Sequence, residues 1–413
     1  MNFIYDRHPH KNRCRVVLPT LLALIAVYLA VPAISAQAAL PKIEISPPAG
    51  FTKGTPNYQM KFHTISSGMS GYGGGSRMAY LELGAQPGPA GGAAPKAWHM
   101  IPPGMQLGEY LPLAPVQQAA PGAPAGDHKP ERMIIKTYWG CGDTVRPGQP
   151  NVLDTGKMSK QNMPDMSGFA SGGRAAGGGK AGRNTVLWPN QQDGRPVPAG
   201  ASLVGEHLLH GNFVPHIKFS MDAKHDIMKE LNIALQGQTQ QDAITVRWNK
   251  LPTAIGYHAM AVGADSSGKE MVIWTSSETP NVNVSGQFLD TAQVRKHISA
   301  KVILPAERDS CTIPRGIFAA TSPPMIMVTA WGTDYWASYP ERPANAPKDW
   351  KPDWSVKGQF LSTANSMFGM SSPSGGNNAP GNNPDGRSAP RGGNKPAEEV
   401  VPGVIKGILR GIF

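Results

Sequence analysis

The stretch Glu206-His207-Leu-Leu-His210-Gly-Asn-Phe-Val-Pro-His216, followed by His225-Asp226, is the densest gathering of metal-ligating and acid–base side chains in this sequence. On a helix His207 and His210 would share a face, and with His216 and His225 they would suit a metal-dependent hydrolase. Gly205, Gly211 and Pro215 argue instead for loop and strand, where residues three apart point to opposite sides. The expectation is therefore structural histidines with no metal and no cofactor, and the hydrolase stands as the alternative. No HExxH, CxxC or GxSxG pattern occurs. Glu109, Glu206, Asp226 and Asp334 show no spacing that would pair carboxylates for glycoside hydrolysis.

Two further groups of residues bear chemistry. Cys141 and Cys311 are expected to form a disulfide in an oxidising compartment. The rival role, Cys141 as a nucleophile in the Trp139-Gly-Cys-Gly142 turn, lacks an accompanying His-plus-acid pattern. Trp331, Tyr335, Trp336 and Tyr339, with Trp350 and Trp354 beyond, form an aromatic edge that could stack on sugar rings or anchor a protein partner. That edge defines a second alternative, a carbohydrate-binding module, against the plainer reading of a strand edge carrying the last core aromatics. Trp188, Trp248 and Trp274 are expected in the core.

The elements that must position these residues are short. With 48 Gly and 40 Pro among 413 residues, much of the chain is turn or linker material. Apolar segments such as Tyr58–His63, Met78–Leu83 and Met133–Trp139 alternate as half-buried strands do. Further strands are expected at Ile217–Met221, Ile244–Trp248, Tyr257–Gly263, Glu270–Ser276, Lys301–Leu304 and Met325–Trp331, with a hairpin turn at Asp265–Gly268. Short helices are expected at Ala223–Leu235 and Gly286–His297.

The termini add location and attachment. Arg7, Lys11, Arg13 and Arg15 precede an apolar run from Val16 to Val31 and a small-residue site at Ala36-Gln37-Ala38, the layout of a signal peptide over residues 1–38. The expectation is a periplasmic or secreted protein whose tail associates it with the envelope. In residues 398–413, Val401, Ile405, Ile408, Leu409, Ile412 and Phe413 mark the apolar side of a short amphipathic helix, opposite Lys406 and Arg410. At roughly 14 helical residues its rise, about 21 Å, suits a membrane surface, a partner or a second copy, and not a bilayer crossing.

Charge narrows the partners. Without the four leader bases and Asp6, the 39 Lys plus Arg and 28 Asp plus Glu fall to 35 and 27, and the chain stays basic. Such a surface is drawn to an envelope protein, a membrane surface or an anionic polysaccharide. Nucleic acid is not expected, because no recognition-module spacing accompanies scattered Lys and Arg.

Ile244-Thr-Val-Arg-Trp248, Leu251-Pro252, Ala254-Ile-Gly-Tyr257 and Met325-Ile-Met-Val-Thr-Ala-Trp331 resemble a fibronectin type III domain over about residues 241–340. The resemblance implies that Trp248 packs on Tyr257. Tyr138-Trp-Gly-Cys-Gly142 with Arg146-Pro-Gly-Gln149 is similar to a group of exported bacterial proteins, a resemblance that carries no activity.

The sequence thus predicts a mostly β protein with two immunoglobulin- or fibronectin-like sandwich regions. Its divisions are a β-rich domain at 39–156, a Gly-rich basic loop at 157–184, a fibronectin III-like domain at 185–345, a low-complexity tether at 346–397 and the terminal helix. The function expected is non-catalytic attachment in the cell envelope.

Overall fold

A computed structural model describes residues 56–67, 76–85, 89–115, 132–157, 184–280 and 284–369. The expected signal peptide, most of the Gly-rich basic loop and the terminal helix lie outside the described residues. The described chain is mostly β. Its strands are β1 (Asn57–Ser67), β2 (Ser76–Gly84), β3 (Ala97–Met100), β4 (Tyr110–Pro115), β5 (Ile134–Trp139), β6 (Asn151–Asp154), β7 (Thr185–Trp188), β8 (Gly205–Gly211) and β9 (Val214–Met221). They continue as β10 (Ile233–Gln236), β11 (Ile244–Trp248), β12 (Ala254–Ala264), β13 (Glu270–Thr275), β14 (Leu304–Pro305), β15 (Ser310–Ile313), β16 (Met325–Gly332), β17 (Tyr335–Tyr339) and β18 (Trp354–Met367). Among the described residues there is one α-helix, α1 (Thr291–Ser299), held at its start by a capping box in which Asp290 and Gln293 satisfy each other's backbone N–H.

Fifteen strands join one sheet, in the order β6-β5-β13-β12-β16-β18-β1-β2-β7-β4-β3-β8-β9, with β14 beside β12 and β17 beside β18. A separate sheet runs β10-β11-β15. Alternation sets the faces. Tyr58, Met60 and Phe62 of β1, Leu81 and Leu83 of β2 and Val356 and Phe360 of β18 enter one buried cluster, together with Ile217 and Phe219 of β9 and Val246, Trp248 and Ile313 of the small sheet. On the opposite face, α1 and the segment before it bury Val284, Val294, Trp331 and Leu361 as a second cluster.

Two expectations are corrected. The division at 157–184 does not divide the hydrogen bonding: β5, from the expected first domain, pairs in parallel with β13 of the expected second, and β1 pairs in parallel with β18. The expected tether contains β18, the longest of the described strands, which lies between β16 and β1. Its polar residues explain why it reads as linker. Ser362 Oγ donates to Lys229 O at 3.0 Å and accepts from Leu231 N at 3.2 Å, while Thr363 Oγ1 meets His63 at 2.8 Å, so small polar side chains bind a crossing segment and a neighbouring strand. Of the two expected helices, Gly286–His297 becomes α1, and Ala223–Leu235 is helical only as a single 3-10 turn at Ala223–His225.

Cys141 and Cys311 are bonded, joining the end of β5 to β15 across 170 residues of sequence. Around the bridge, Gly142 N donates to Thr312 O at 2.9 Å and Trp274 Nε1 to Gly140 O at 3.0 Å. Gly140 has φ of +89°, and a Cβ there would sit 2.7 Å from the Arg146 guanidinium, which reaches over it to Cys141 O and Glu278.

Candidate functional site

The four histidines of the sequence cluster go to three places. His207, on β8, points into the core, where Tyr58 Oη, His99 and His207 form a chain: Tyr58 Oη to His99 Nδ1 is 2.7 Å, His99 Nε2 to His207 Nδ1 is 2.9 Å, and His207 Nε2 to Leu203 O is 2.7 Å. A carbonyl only accepts, so the neutral His207 carries its proton on Nε2 and accepts at Nδ1. His99 must then donate from Nε2, and Tyr58 must donate to His99 Nδ1. Every tautomer is fixed by one backbone oxygen. Burial holds His99 well below the usual histidine range, with His207 adding to the effect, and burial also lowers His207.

A closed chain of neutral groups is a structural device, and its truncation has a stated cost. Tyr58→Phe leaves His99 Nδ1 buried without a donor, and the expected loss of stability is about 1–3 kcal/mol, read as a lower urea midpoint at unchanged m-value. A midpoint equal to that of the parent would contradict the assignment.

His210 and His216 do come together, with ring centroids 6.0 Å apart, and His210 also stacks on Trp98. Burial, then the neighbouring His216, lowers the His210 pKa. His225 lies elsewhere, with Nδ1 2.7 Å from Asp222 Oδ1 and its ring edge against Tyr335. Glu206 reaches Lys218 at 2.9 Å, and Asp226 accepts from Ser202 Oγ and Leu203 N, both at 2.7 Å. Among the described residues no three His, Cys, Asp or Glu side chains gather as a metal site would require.

The aromatic edge is also divided. Trp331 does not belong to it: the side chain is buried on α1's side of the sheet, and its Nε1 donates to Gln287 O at 2.8 Å. Tyr335 turns to the opposite face, against Phe219, and donates to Ser220 O. Tyr339 stacks on Trp354 there while keeping 59% exposure. Trp336 alone of the four projects from the α1 side, 61% exposed. Trp188, Trp248 and Trp274 are buried.

Trp336 heads a feature that residue types and spacing did not reveal. Strand register aligns it with Lys357 of β18, Gln59 of β1, Glu82 of β2, Leu187 of β7 and Ala114 of β4. All five partners are partly exposed, so one open row crosses six strands, about 24 Å at the usual strand spacing. The row ends at a hollow of about 330 Å³ lined by Ala114, Leu187, Pro189, Gln191 and Gln192 among others. Beside the row lie Lys61, Tyr80 and Phe288, with the Lys61 ammonium 6.0 Å and 5.8 Å from the two ring centroids. Lys357 reaches Asp290 at 3.7 Å, and the Tyr80 hydroxyl donates to Glu82 at 3.4 Å.

No family model and no curated protein matches this chain. Among solved structures it is similar to the yeast delta-COP-I μ-homology domain, both complexed with a Dsl1 WxWxV peptide (9% identity, TM-score 0.21) and by itself (10% identity, TM-score 0.19). Each comparison covers 76% of this chain and 97% of the other. Likeness at that level defines no class, and the functional reading rests on the molecule's own surfaces.

Proposed function

We propose that this is an exported protein of the cell envelope that works by attachment and carries no catalytic activity, with an envelope protein, a membrane surface or an anionic polymer as its partner. The observation that carries the reading is the fate of the densest ligand cluster: His207 is closed into a neutral interior chain, and His210 with His216 is separated from His225. The Cys141–Cys311 bond supports residence in an oxidising compartment. The bases that precede Val16 support export by a cleaved leader.

The proposal extends to architecture. Trp248 and Tyr257 have ring centroids 5.6 Å apart, the pairing implied by the fibronectin type III resemblance. The β10-β11-β15 sheet against the β13-β12-β16-β18 part of the large sheet supports reading this portion as a fibronectin-like sandwich. In this reading the amphipathic segment 398–413 supplies reversible attachment.

Sedimentation with isolated envelopes tests the reading. Mature protein is expected in the envelope pellet, and protein ending at Ala397 is expected to shift several-fold toward the supernatant. Full-length protein that stays wholly in the supernatant would overturn attachment; equal pelleting of both forms would remove the tail from it.

A further inference from the structure

We infer that the row from Trp336 to the hollow beside Leu187 is a binding groove for a neutral polysaccharide chain lying across the strands, an inference that goes beyond the attachment reading and adds to it a ligand class outside the partners named there.

The geometry argues against strand addition. A peptide recruited by strand addition would run along a strand edge, using backbone N–H and C=O groups. This row runs across six strands and offers only side chains, so it reads a ligand by surface stacking and side-chain hydrogen bonds. Trp336 gives a broad exposed ring at one end, suited to the C–H face of a pyranose. Lys357, Gln59 and Glu82 follow at strand spacing, a donor, an amide that both donates and accepts, and an acceptor, which is what successive hydroxyl groups require. The hollow at the far end accommodates a further residue of the chain, with Gln191 and Gln192 in its lining.

Charge selects the kind of polysaccharide. The protein as a whole carries a formal net charge of +11, yet among the described residues along the row the two cations Lys61 and Lys357 stand beside two carboxylates, Glu82 and Asp290. Lys357 faces Asp290, and Lys61 lies over Tyr80, whose hydroxyl is bonded to Glu82. A row balanced in this way, with the Glu82 carboxylate in its middle, disfavours a polyanion locally and complements an uncharged, hydroxyl-rich chain.

The test uses full-length mature protein on an array of neutral oligosaccharides, the hexamers of β-linked glucose, N-acetylglucosamine, xylose and mannose, with polygalacturonate as the acidic comparison. Retention of at least one neutral hexamer is expected. Trp336→Ala is expected to weaken it at least tenfold, Trp336→Tyr less, and Leu187→Lys, at the opposite end, severalfold. Tyr339→Ala, on the other face, is expected to remain within twofold. Circular dichroism of each variant checks folding, and Leu187→Lys keeps the test decisive if Trp336→Ala fails to fold. No neutral retention, retention indifferent to both row variants, or a Trp336-dependent preference for polygalacturonate would overturn the inference. Envelope pelleting that persists alongside any of these results leaves the attachment reading standing without this groove.

Discussion

Replacing both Cys141 and Cys311 with alanine is expected to lower the unfolding free energy by about 5 kcal/mol, because the open chain regains the freedom of a long loop. The bridge closes 170 residues of sequence, and in the chain-entropy description the effect grows with the logarithm of that length. The contacts it ties belong to different elements. Cys311 lies on β15 of the small sheet, while Cys141 follows β5 near the end of the large one, so the variant should loosen the small sheet first. Urea unfolding read by tryptophan fluorescence, with Trp248 in the small sheet and Trp274 in the large one, measures the loss. An unchanged midpoint would contradict a stabilising role for the bridge.

Acid should be as damaging. Burial lowers His63 to about 4 and His258 to about 3, the latter with His297 nearby, and His99 and His207 shift in the same direction. These groups are neutral in the folded protein, whereas in the unfolded chain they take up protons below about pH 6.5. Their stability contribution is therefore intact above pH 6.5 and is lost as pH falls from 6.5 toward the folded values. At pH 4.5, His63 and His258 together cost on the order of 5 kcal/mol relative to pH 7.5. The carboxylates held low by partners, such as Asp193 beside Arg195 and Glu278 beside Arg146, act below that window. Urea midpoints at the two pH values check the effect, and His63→Gln should reduce the difference. Equal stability at both values would show that these side chains are not neutral and buried together.

What the sequence conveyed, and what it hid, follows from the range of each contact. Tyr58–His63, Met78–Leu83 and Met325–Trp331 announce themselves by local alternation, and each lies within a strand. β18 does not, because Ser362, Thr363 and Ser366 resemble linker residues until the backbone of Lys229 and Leu231 and the His63 ring come to meet them. The composition change near residue 157 looks like a domain boundary, yet pairing of β5 with β13 passes it by. At the site, the alternation argument separated His207 from His210 correctly, since a strand carries them on opposite faces. His99 escaped notice because its partners are 41 residues before it and 108 after it. The open row is more hidden still: Gln59, Glu82, Leu187 and Trp336 are aligned by strand register alone.

The central claim is attachment outside the cytosol by an oxidised, non-catalytic β protein. Fractionation of source cells with immediate thiol alkylation, followed by peptide mapping, tests it most directly. The account predicts recovery from the periplasm or envelope, a mature start after Ala38, and a linked Cys141–Cys311 peptide; cytosolic protein with the leader intact and both cysteines alkylated would contradict it.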